Sequence, residues 1–283
     1  MKQKVVLETL PPMLDIQCGG SFMEWNKSSQ CRSCVCTPAF SKNESQGGGR
    51  IGRPLFTYRS ERRRNGYEHL QKLDDYLFAE RGLHLTWLRH PKGFEWLMFE
   101  EKKQRPASIE NRQRLGVSLY GNGWPGPRVR WCTGQLKTHL IHKEINRLKG
   151  QYKAVSYVGI AADEPKRIKN ERYPLMDWGI TEKEALRICY DRGYDFGGLY
   201  QIYRRCSCWC CPLQGIGEPR KLRQHHPELW ERLREMDKRA LAQFGPGPLG
   251  QFKKDWSVER LEQRFAAETQ QLSISSSQKE RER

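Results

Sequence analysis

The chain lacks any long hydrophobic run, and its acidic residues are far fewer than its basic ones. No apolar stretch approaches the roughly 20 residues that a membrane-spanning helix needs, and the apolar part of the N-terminus is too short for a secretory signal. We therefore expect a cytoplasmic protein with no membrane partner. Lys and Arg number 50 against 33 Asp and Glu, a formal net charge of +17. This balance favours anionic partners such as nucleotides, nucleic acid or sulfated metabolites.

Large aliphatic residues are sparse in residues 1–65, which show no sustained helical or strand period. We expect this segment to be atypical and poorly ordered. From Tyr67 onward the pattern is regular. Apolar residues recur at helical spacing over 67–80 and 133–149, whereas residues 83–88 and 154–160 are typical of strands. Residues 102–127 are polar and rich in Gly and Pro, which predicts a loop.

The second half of the chain is predicted to be mostly helical. A short helix is also expected from Phe94, and later helices over 181–192, 195–203, 218–242 and 257–270. Strands alternating with helices favour an α/β fold with helical layers around a mainly parallel sheet. We expect this domain to span residues 66–245, and residues 246–283 to form a C-terminal helix and a disordered polar tail.

Ten cysteines are many for a cytoplasmic chain, where thiols more often bind metals or carry out redox chemistry than form disulfides. A cluster of four lies within six residues: Cys206, Cys208, Cys210 and Cys211. With Cys132 they supply enough donors for a tetrahedral metal or a four-iron cluster. Zinc and a 4Fe–4S cluster are both open, because thiolates hold either. Buried thiols that only pack in a core are the structural alternative.

Basic residues flank Cys132. Arg128 and Arg130 alternate, so in an extended segment they share a face, and Lys137 follows Cys132 in the predicted helix. Guanidinium groups suit the oxygens of phosphate and sulfate. The alternative is that these side chains form surface salt bridges.

A second charged group follows the apolar run of residues 154–160. It consists of Asp163, Glu164, Lys166 and Arg167. In open α/β sheets, ligands bind beyond the carboxyl ends of the strands. Lys166 and Arg167 are therefore candidates to hold an anion, with Asp163 or Glu164 orienting them or a ribose. An ordinary charged loop is the alternative.

Three segments together resemble the phosphoadenosine phosphosulfate (PAPS) reductase family, in its phage and bacterial branch. They are YGNGWPGPRVRWCTGQLK at 120–137, YVGIAADEPKR at 157–167, and DFGGLY at 195–200 followed by SCWCCPLQ at 207–214. The resemblance covers residues 67–245. It implies an adenine-nucleotide α-hydrolase-like fold, with three layers and a mainly parallel sheet.

The resemblance also implies a function. Family members bind adenylated sulfate or ATP and act in sulfur transfer or reduction, as oxidoreductases or transferases. It implies a phosphosulfate pocket lined by Arg128, Arg130, Lys137 and Arg167. It also implies an iron–sulfur cluster on cysteines spaced like Cys132, Cys208 and Cys211. A small adenine nucleotide and an electron-donor protein are then the expected partners.

The sequence departs from the family in two places. The family's Ser-Gly-Gly-Lys-Asp-Ser phosphate loop is not recognisable near residues 30–40, so we expect a fold that is incomplete at its N-terminus. Residues 240–283 contain no cysteine, whereas thioredoxin-dependent members carry a Glu-Cys-Gly-x-His nucleophile there. Two other functions stay open. One is an ATP-dependent, phosphorothioation-like enzyme that modifies nucleic acid with sulfur, which the basic charge favours. The other is a degenerate, non-catalytic metal-binding protein.

Overall fold

The computed structural model describes residues 36–42, 53–58, 64–149 and 153–281. Its described strands are β1 (Cys36–Lys42), β2 (Arg53–Tyr58), β3 (Thr86–Arg89) and β4 (Lys153–Ser156). They form one sheet in the order β3-β2-β1-β4. β1 pairs antiparallel with both β2 and β4, and β2 pairs parallel with β3.

The prediction of a three-layer fold around a mainly parallel sheet is wrong. Helix is much the more abundant structure, and two of the three strand pairings are antiparallel. The apolar run 154–160 was expected to be one strand, but β4 ends at Ser156 and lies at the edge of the described sheet. Val158 and Ile160 are instead buried against Tyr173.

Helices make up most of the described chain. They include α1 (Arg64–Arg81), α2 (Gly93–Phe99), α3 (Pro106–Arg114), α4 (Trp131–Thr133), α5 (His139–Lys149), α6 (Pro174–Asp177), α7 (Glu182–Asp191), α8 (Leu199–Ile202), α9 (Gly217–His225), α10 (Pro227–Phe244) and α11 (Val258–Arg281). A π-helical segment, Gly134–Thr138, joins α4 to α5. Within the described ranges, no helix is long and apolar enough to cross a membrane.

The chain divides into two compact units. Unit 1 consists of the described residues up to Gly93 together with Trp131–Cys208, and unit 2 consists of Phe94–Arg130 together with the described residues from Trp209 onward. Unit 1 therefore contains the sheet, α1 and α4 to α8, while unit 2 contains α2, α3 and α9 to α11.

The predicted helix at 67–80 is confirmed in unit 1. The apolar stripe of α1 buries Leu70, Leu73 and Leu77 together with Leu85. Gly82 ends the helix with a φ of 63°, and its N–H donates to the Phe78 carbonyl at 2.8 Å. Glycine reaches this left-handed conformation at little steric cost, which is why it is common at this position.

A second core of unit 1 is formed by residues between Cys189 and Cys206. Cys189, Phe196, Tyr203 and Cys206 are buried in one cluster with Leu199. Cys189 is therefore a core residue of unit 1. The predicted helix at 181–192 is present as α7, and it begins with a capping box in which the Thr181 hydroxyl accepts from the Glu184 N–H.

In unit 2, a single buried carboxylate joins three segments. Asp237 of α10 is 5% exposed. It accepts hydrogen bonds from the Trp124 indole at 2.9 Å, the Phe252 N–H at 2.7 Å and the Val258 N–H at 2.6 Å. Because Val258 is the first residue of α11, this carboxylate ties the start of one helix to the middle of another.

Three further predictions differ from the structure. Residues 102–127, predicted to be a loop, contain α3, which begins at Pro106. The polar segment from Ser273, predicted to be disordered, continues α11 to Arg281. Most of residues 1–65 lies outside the described residues, but the described parts form β1 and β2 rather than irregular chain.

Candidate functional site

Lys137 lies in the π-helical segment of unit 1. Single π turns inside α-helices are rare and are frequent at functional sites. Lys137 is 8% exposed, and it forms no hydrogen bond or ion pair with any residue that the structure describes. A mostly buried lysine is usually paired with an acidic group, and no described residue supplies one to Lys137.

Arg128 and Arg130 follow a glycine loop of unit 2 that is held tightly by its surroundings. Gly121 has a φ of 72°, and a β-carbon there would lie 2.2 Å from the Met98 carbonyl oxygen. Gly123 has a φ of 65°, and its β-carbon would lie 2.5 Å from the Leu249 carbonyl oxygen. Only glycine fits such close backbone contacts.

The two arginines at the end of this loop differ in exposure. Arg128 is exposed and Arg130 is half-buried. Within the described part of the chain, neither forms a hydrogen bond or an ion pair. We refer to Arg128, Arg130 and Lys137 as the motif cations, because all three lie in the 120–137 segment.

Asp163, a predicted ligand-orienting residue, forms a structural hydrogen bond within unit 1. Its carboxylate accepts a hydrogen bond from the Glu182 N–H at 3.1 Å, at the first turn of α7. The adjacent Ala162 N–H donates to the Ile180 carbonyl at 2.8 Å. Asp163 therefore stabilises the start of a helix, where a negative charge is favourable.

Glu164 and Arg167 pair with each other across a short 3₁₀ turn, Pro165–Arg167. The Arg167 guanidinium donates to Glu164 Oε2 at 2.5 Å, and the two side chains are 15% and 9% exposed, respectively. Lys166, between them, is exposed. Of the two cations predicted in this segment, Arg167 is thus already bound to a carboxylate.

The predicted metal ligands are all thiols and fall in both units. Cys132, Cys206 and Cys208 belong to unit 1, and Cys210 and Cys211 to unit 2. Cys206 and Cys210 are buried, and the other three are half-buried. Among the described residues, no three Cys, His, Asp or Glu side chains form a group that could hold a metal ion. A zinc ion and a 4Fe–4S cluster therefore both stay predictions, and no chemical step is assigned to them.

Sequence reasoning missed Lys253, which binds the backbone just after Cys211 in unit 2. Its ammonium donates to the Pro212 carbonyl at 2.8 Å and also to the Gln214 carbonyl. Burial lowers the pKa of Lys253, and the charge of the Cys211 thiolate opposes that shift. No motif surrounds Lys253, and its partners are backbone carbonyls, so the sequence carries no signal for it.

Arg205 was also missed. It precedes the cysteine cluster, and its guanidinium donates to the Glu182 carboxylate at 3.2 Å within unit 1. The pair fixes the chain just before Cys206 to the start of α7. Its basic neighbour Arg204 shares the same sequence context, so composition alone could not separate the two.

Comparisons with known proteins give no function. No protein-family model matches the chain, and no solved structure matches it. The chain is similar to an uncharacterized protein of Methanocaldococcus jannaschii, with 26% identity over 168 residues, 48% of this chain and 33% of the relative. The chain thus spans about a third of the length of that relative. The resemblance to the PAPS reductase family therefore stays a prediction from the three sequence motifs.

Proposed function

We propose that this protein binds an adenylated sulfate or ATP and acts in sulfur transfer or reduction, as a PAPS reductase-like enzyme. One observation supports the binding step above all. The motif cations are the basic residues of the 120–137 segment, and none of them is paired within the described ranges.

Several other arginines of the described chain are committed to carboxylates. Arg223 pairs with Glu262 at 2.7 Å, and Arg220 pairs with Glu268 at 2.7 Å. Arg147, which lies one element after Lys137, pairs with Glu144 at 2.5 Å. A cation without a carboxylate keeps its full charge for a ligand, so the motif cations are better suited than these residues to bind an anion.

The chemistry of the motif cations matches the proposed ligand. An arginine can donate two parallel hydrogen bonds to a phosphate or sulfate, and a lysine supplies a compact positive charge. A phosphosulfate or triphosphate carries several negative oxygens, which need more than one such donor. The family resemblance implies that the electrons for reduction come from a donor protein.

Isothermal titration calorimetry tests the binding step. We expect heat with adenosine phosphosulfate, PAPS or ATP, and none with adenosine, which has no anionic group. Arg128→Ala, Arg130→Ala and Lys137→Ala should each weaken binding about tenfold or more, the usual effect of losing a charge-assisted hydrogen bond.

Arg147→Ala is the matched control, because Arg147 is 63% exposed and already paired. It should leave the affinity unchanged. An absence of heat with all three anionic ligands would contradict the proposal and favour the non-catalytic alternative. If binding is found, release of sulfite with a dithiol as reductant distinguishes reduction from binding alone.

A second candidate is the ATP-dependent enzyme that modifies nucleic acid with sulfur. The net charge of +17 favours it, because polyanionic DNA binds basic proteins through release of its counterions. The salt dependence of DNA binding is the measurement that distinguishes it from a small-molecule reductase.

A further inference from the structure

The Glu164–Arg167 pair differs from the motif cations in a way that bears on ligand selection. The motif cations have no partner among the described residues, but Arg167 donates to Glu164 Oε2 at 2.5 Å. This ion pair has little contact with water, since the side chains are 15% and 9% exposed. The positive charge of Arg167 and the negative charge of Glu164 cancel, so the pair carries no net charge that would attract an approaching anion.

The carboxylate of this pair is only half satisfied. Glu164 Oε1 is buried and has no hydrogen-bond partner among the described residues. Buried acceptors are nearly always paired. The neighbouring Asp163 does not compete for Arg167, because its carboxylate accepts from the start of α7. Glu164 is thus the acidic group that holds Arg167.

We propose that Glu164 is a specificity-determining residue: it occupies Arg167 until a phosphate or sulfate group replaces it. This inference rests on the proposed function and deepens it. Carboxylate and phosphate oxygens fit the same guanidinium donors, so Glu164 competes directly with the ligand. An anion with a single charge gains no binding energy by displacing the Glu164 carboxylate, which carries the same charge. A dianionic phosphate gains binding energy, because its greater charge attracts the Arg167 guanidinium more strongly. The expected ligand class is therefore a nucleotide with a dianionic phosphate or a phosphosulfate group.

The direct test is Glu164→Gln, which keeps the side-chain size and removes the charge. We expect the affinity for PAPS, measured by calorimetry, to rise about fivefold to tenfold, since Arg167 no longer has to leave a carboxylate. In the double variant Glu164→Gln with Arg167→Ala, this gain should disappear. A role of Glu164 in folding alone would not produce tighter binding.

Glu144→Gln is the matched control. Glu144 and Arg147 also pair at a spacing of three residues and at 2.5 Å, in the same unit. That arginine is outside the predicted site, so the affinity should stay unchanged. If the wild type binds PAPS and Glu164→Gln binds it equally or more weakly, the inference is overturned while the proposed function stands.

A second measurement needs no nucleotide. Phenylglyoxal labels accessible, uncommitted arginines, and mass spectrometry follows each site. We expect Arg167 to be labelled about fivefold faster in Glu164→Gln than in the wild type, while the exposed Arg128 reacts equally in both. An unchanged rate at Arg167 overturns the inference, even if the wild type binds no nucleotide and the proposed function has failed.

Arg167→Ala covers the case in which Glu164→Gln does not fold. Because the ligand must first displace Glu164 from Arg167, Arg167→Ala should weaken PAPS binding by less than Arg128→Ala does. A loss of affinity as large as that caused by Arg128→Ala would show that Glu164 does not compete with the ligand for Arg167, and the inference would then be rejected.

Discussion

At the scale of single residues, Gly121 tests whether the 120–126 loop is fixed by backbone contact. An alanine there needs a φ of 72° and puts its β-carbon 2.2 Å from the Met98 carbonyl oxygen. We expect Gly121→Ala to lower the free energy of unfolding by at least about 2 kcal/mol, from backbone strain and displaced neighbours. Urea denaturation measures the change.

Gly126 provides the control for this substitution. It lies in the same loop, but a β-carbon added there would have no atom within 4 Å, and its φ is not positive. Gly126→Ala should change the stability by less than about 0.5 kcal/mol. Equal effects of the two substitutions would mean that the contact with Met98 does not fix the loop.

Asp237 is the buried carboxylate that joins three segments of unit 2. Both of its oxygens accept from N–H groups, and burial raises the pKa of the carboxyl while those three donors lower it. Asp237→Asn keeps the volume but turns one acceptor into an NH₂ group that faces a donor. We expect a loss of about 2–3 kcal/mol in the free energy of unfolding, the cost of an unpaired buried donor.

The exposed Asp255 is the matched position. Asp255→Asn should leave the denaturation midpoint unchanged within error. A stability of Asp237→Asn close to that of the wild type would show that water or a rearranged loop satisfies the three donors, contrary to the observed contacts.

At the scale of elements, α9, α10 and α11 are connected by the carboxylate of Glu262. Arg223 of α9 donates two hydrogen bonds to it at 2.7 and 2.9 Å, and the Trp230 indole of α10 donates a third at 2.6 Å. The bonds from Arg223, followed by that from Trp230, lower the pKa of Glu262 against the opposing effect of burial. Glu262 thus remains ionised in the folded protein at pH values where it is protonated in the unfolded chain.

This shift predicts how stability depends on pH. Below about pH 4.3, the usual pKa of a glutamate, the unfolded chain takes up a proton that the folded protein does not, so stability falls as the pH decreases. Glu262→Gln should lower the unfolding free energy by about 1 kcal/mol at pH 7 and reduce the loss between pH 5 and 3. Glu235→Gln, an exposed change on α10, should do neither. Thermal unfolding across this pH range gives the comparison, and parallel curves for the two variants would contradict the assignment.

Elements with local signals could be predicted from the sequence, and elements that depend on distant contacts could not. The capping box of Thr181 and Glu184 is closed within four residues, at 3.3 and 2.9 Å, so the start of α7 was predictable. The polar helix α3 has no apolar stripe, and its Arg112 lies over the Phe244 ring of α10, a contact that no local pattern reveals. The sheet was mispredicted for the same reason, since β1 and β2 come from a segment without a period.

The residues of the candidate site also divide into those with a local sequence signal and those whose contacts only the structure reveals. The motif cations could be predicted as candidates because they lie close together in one sequence segment. The pairing of Arg167 with Glu164 was not foreseen, although the two are only three residues apart, because an acidic neighbour looks the same in sequence whether or not it forms an ion pair. Lys253 was missed because it donates to the carbonyls of Pro212 and Gln214, which only the tertiary fold brings to it.

At the scale of the whole molecule, the net charge of +17 predicts attraction to any polyanion. Attraction of this kind is diffuse and does not depend on particular side chains. Under the proposed function, specific binding of a nucleotide depends instead on the motif cations. Combining Arg128→Ala, Arg130→Ala and Lys137→Ala in one variant therefore separates a small-molecule enzyme from a nucleic-acid enzyme.

For duplex DNA, the logarithm of the binding constant falls with the logarithm of the salt concentration by about 0.9 per phosphate contact. We expect the triple variant to lose PAPS binding but to change this slope by less than about 1, since its remaining basic residues still attract DNA. Fluorescence anisotropy between 50 and 300 mM salt, about the range over which such contacts weaken strongly, measures the slope. A decrease of about 3 would mean that all three motif cations contact phosphates of DNA. In that case the sulfur-modifying enzyme acting on nucleic acid would replace the small-molecule reductase as the better explanation of the 120–137 segment.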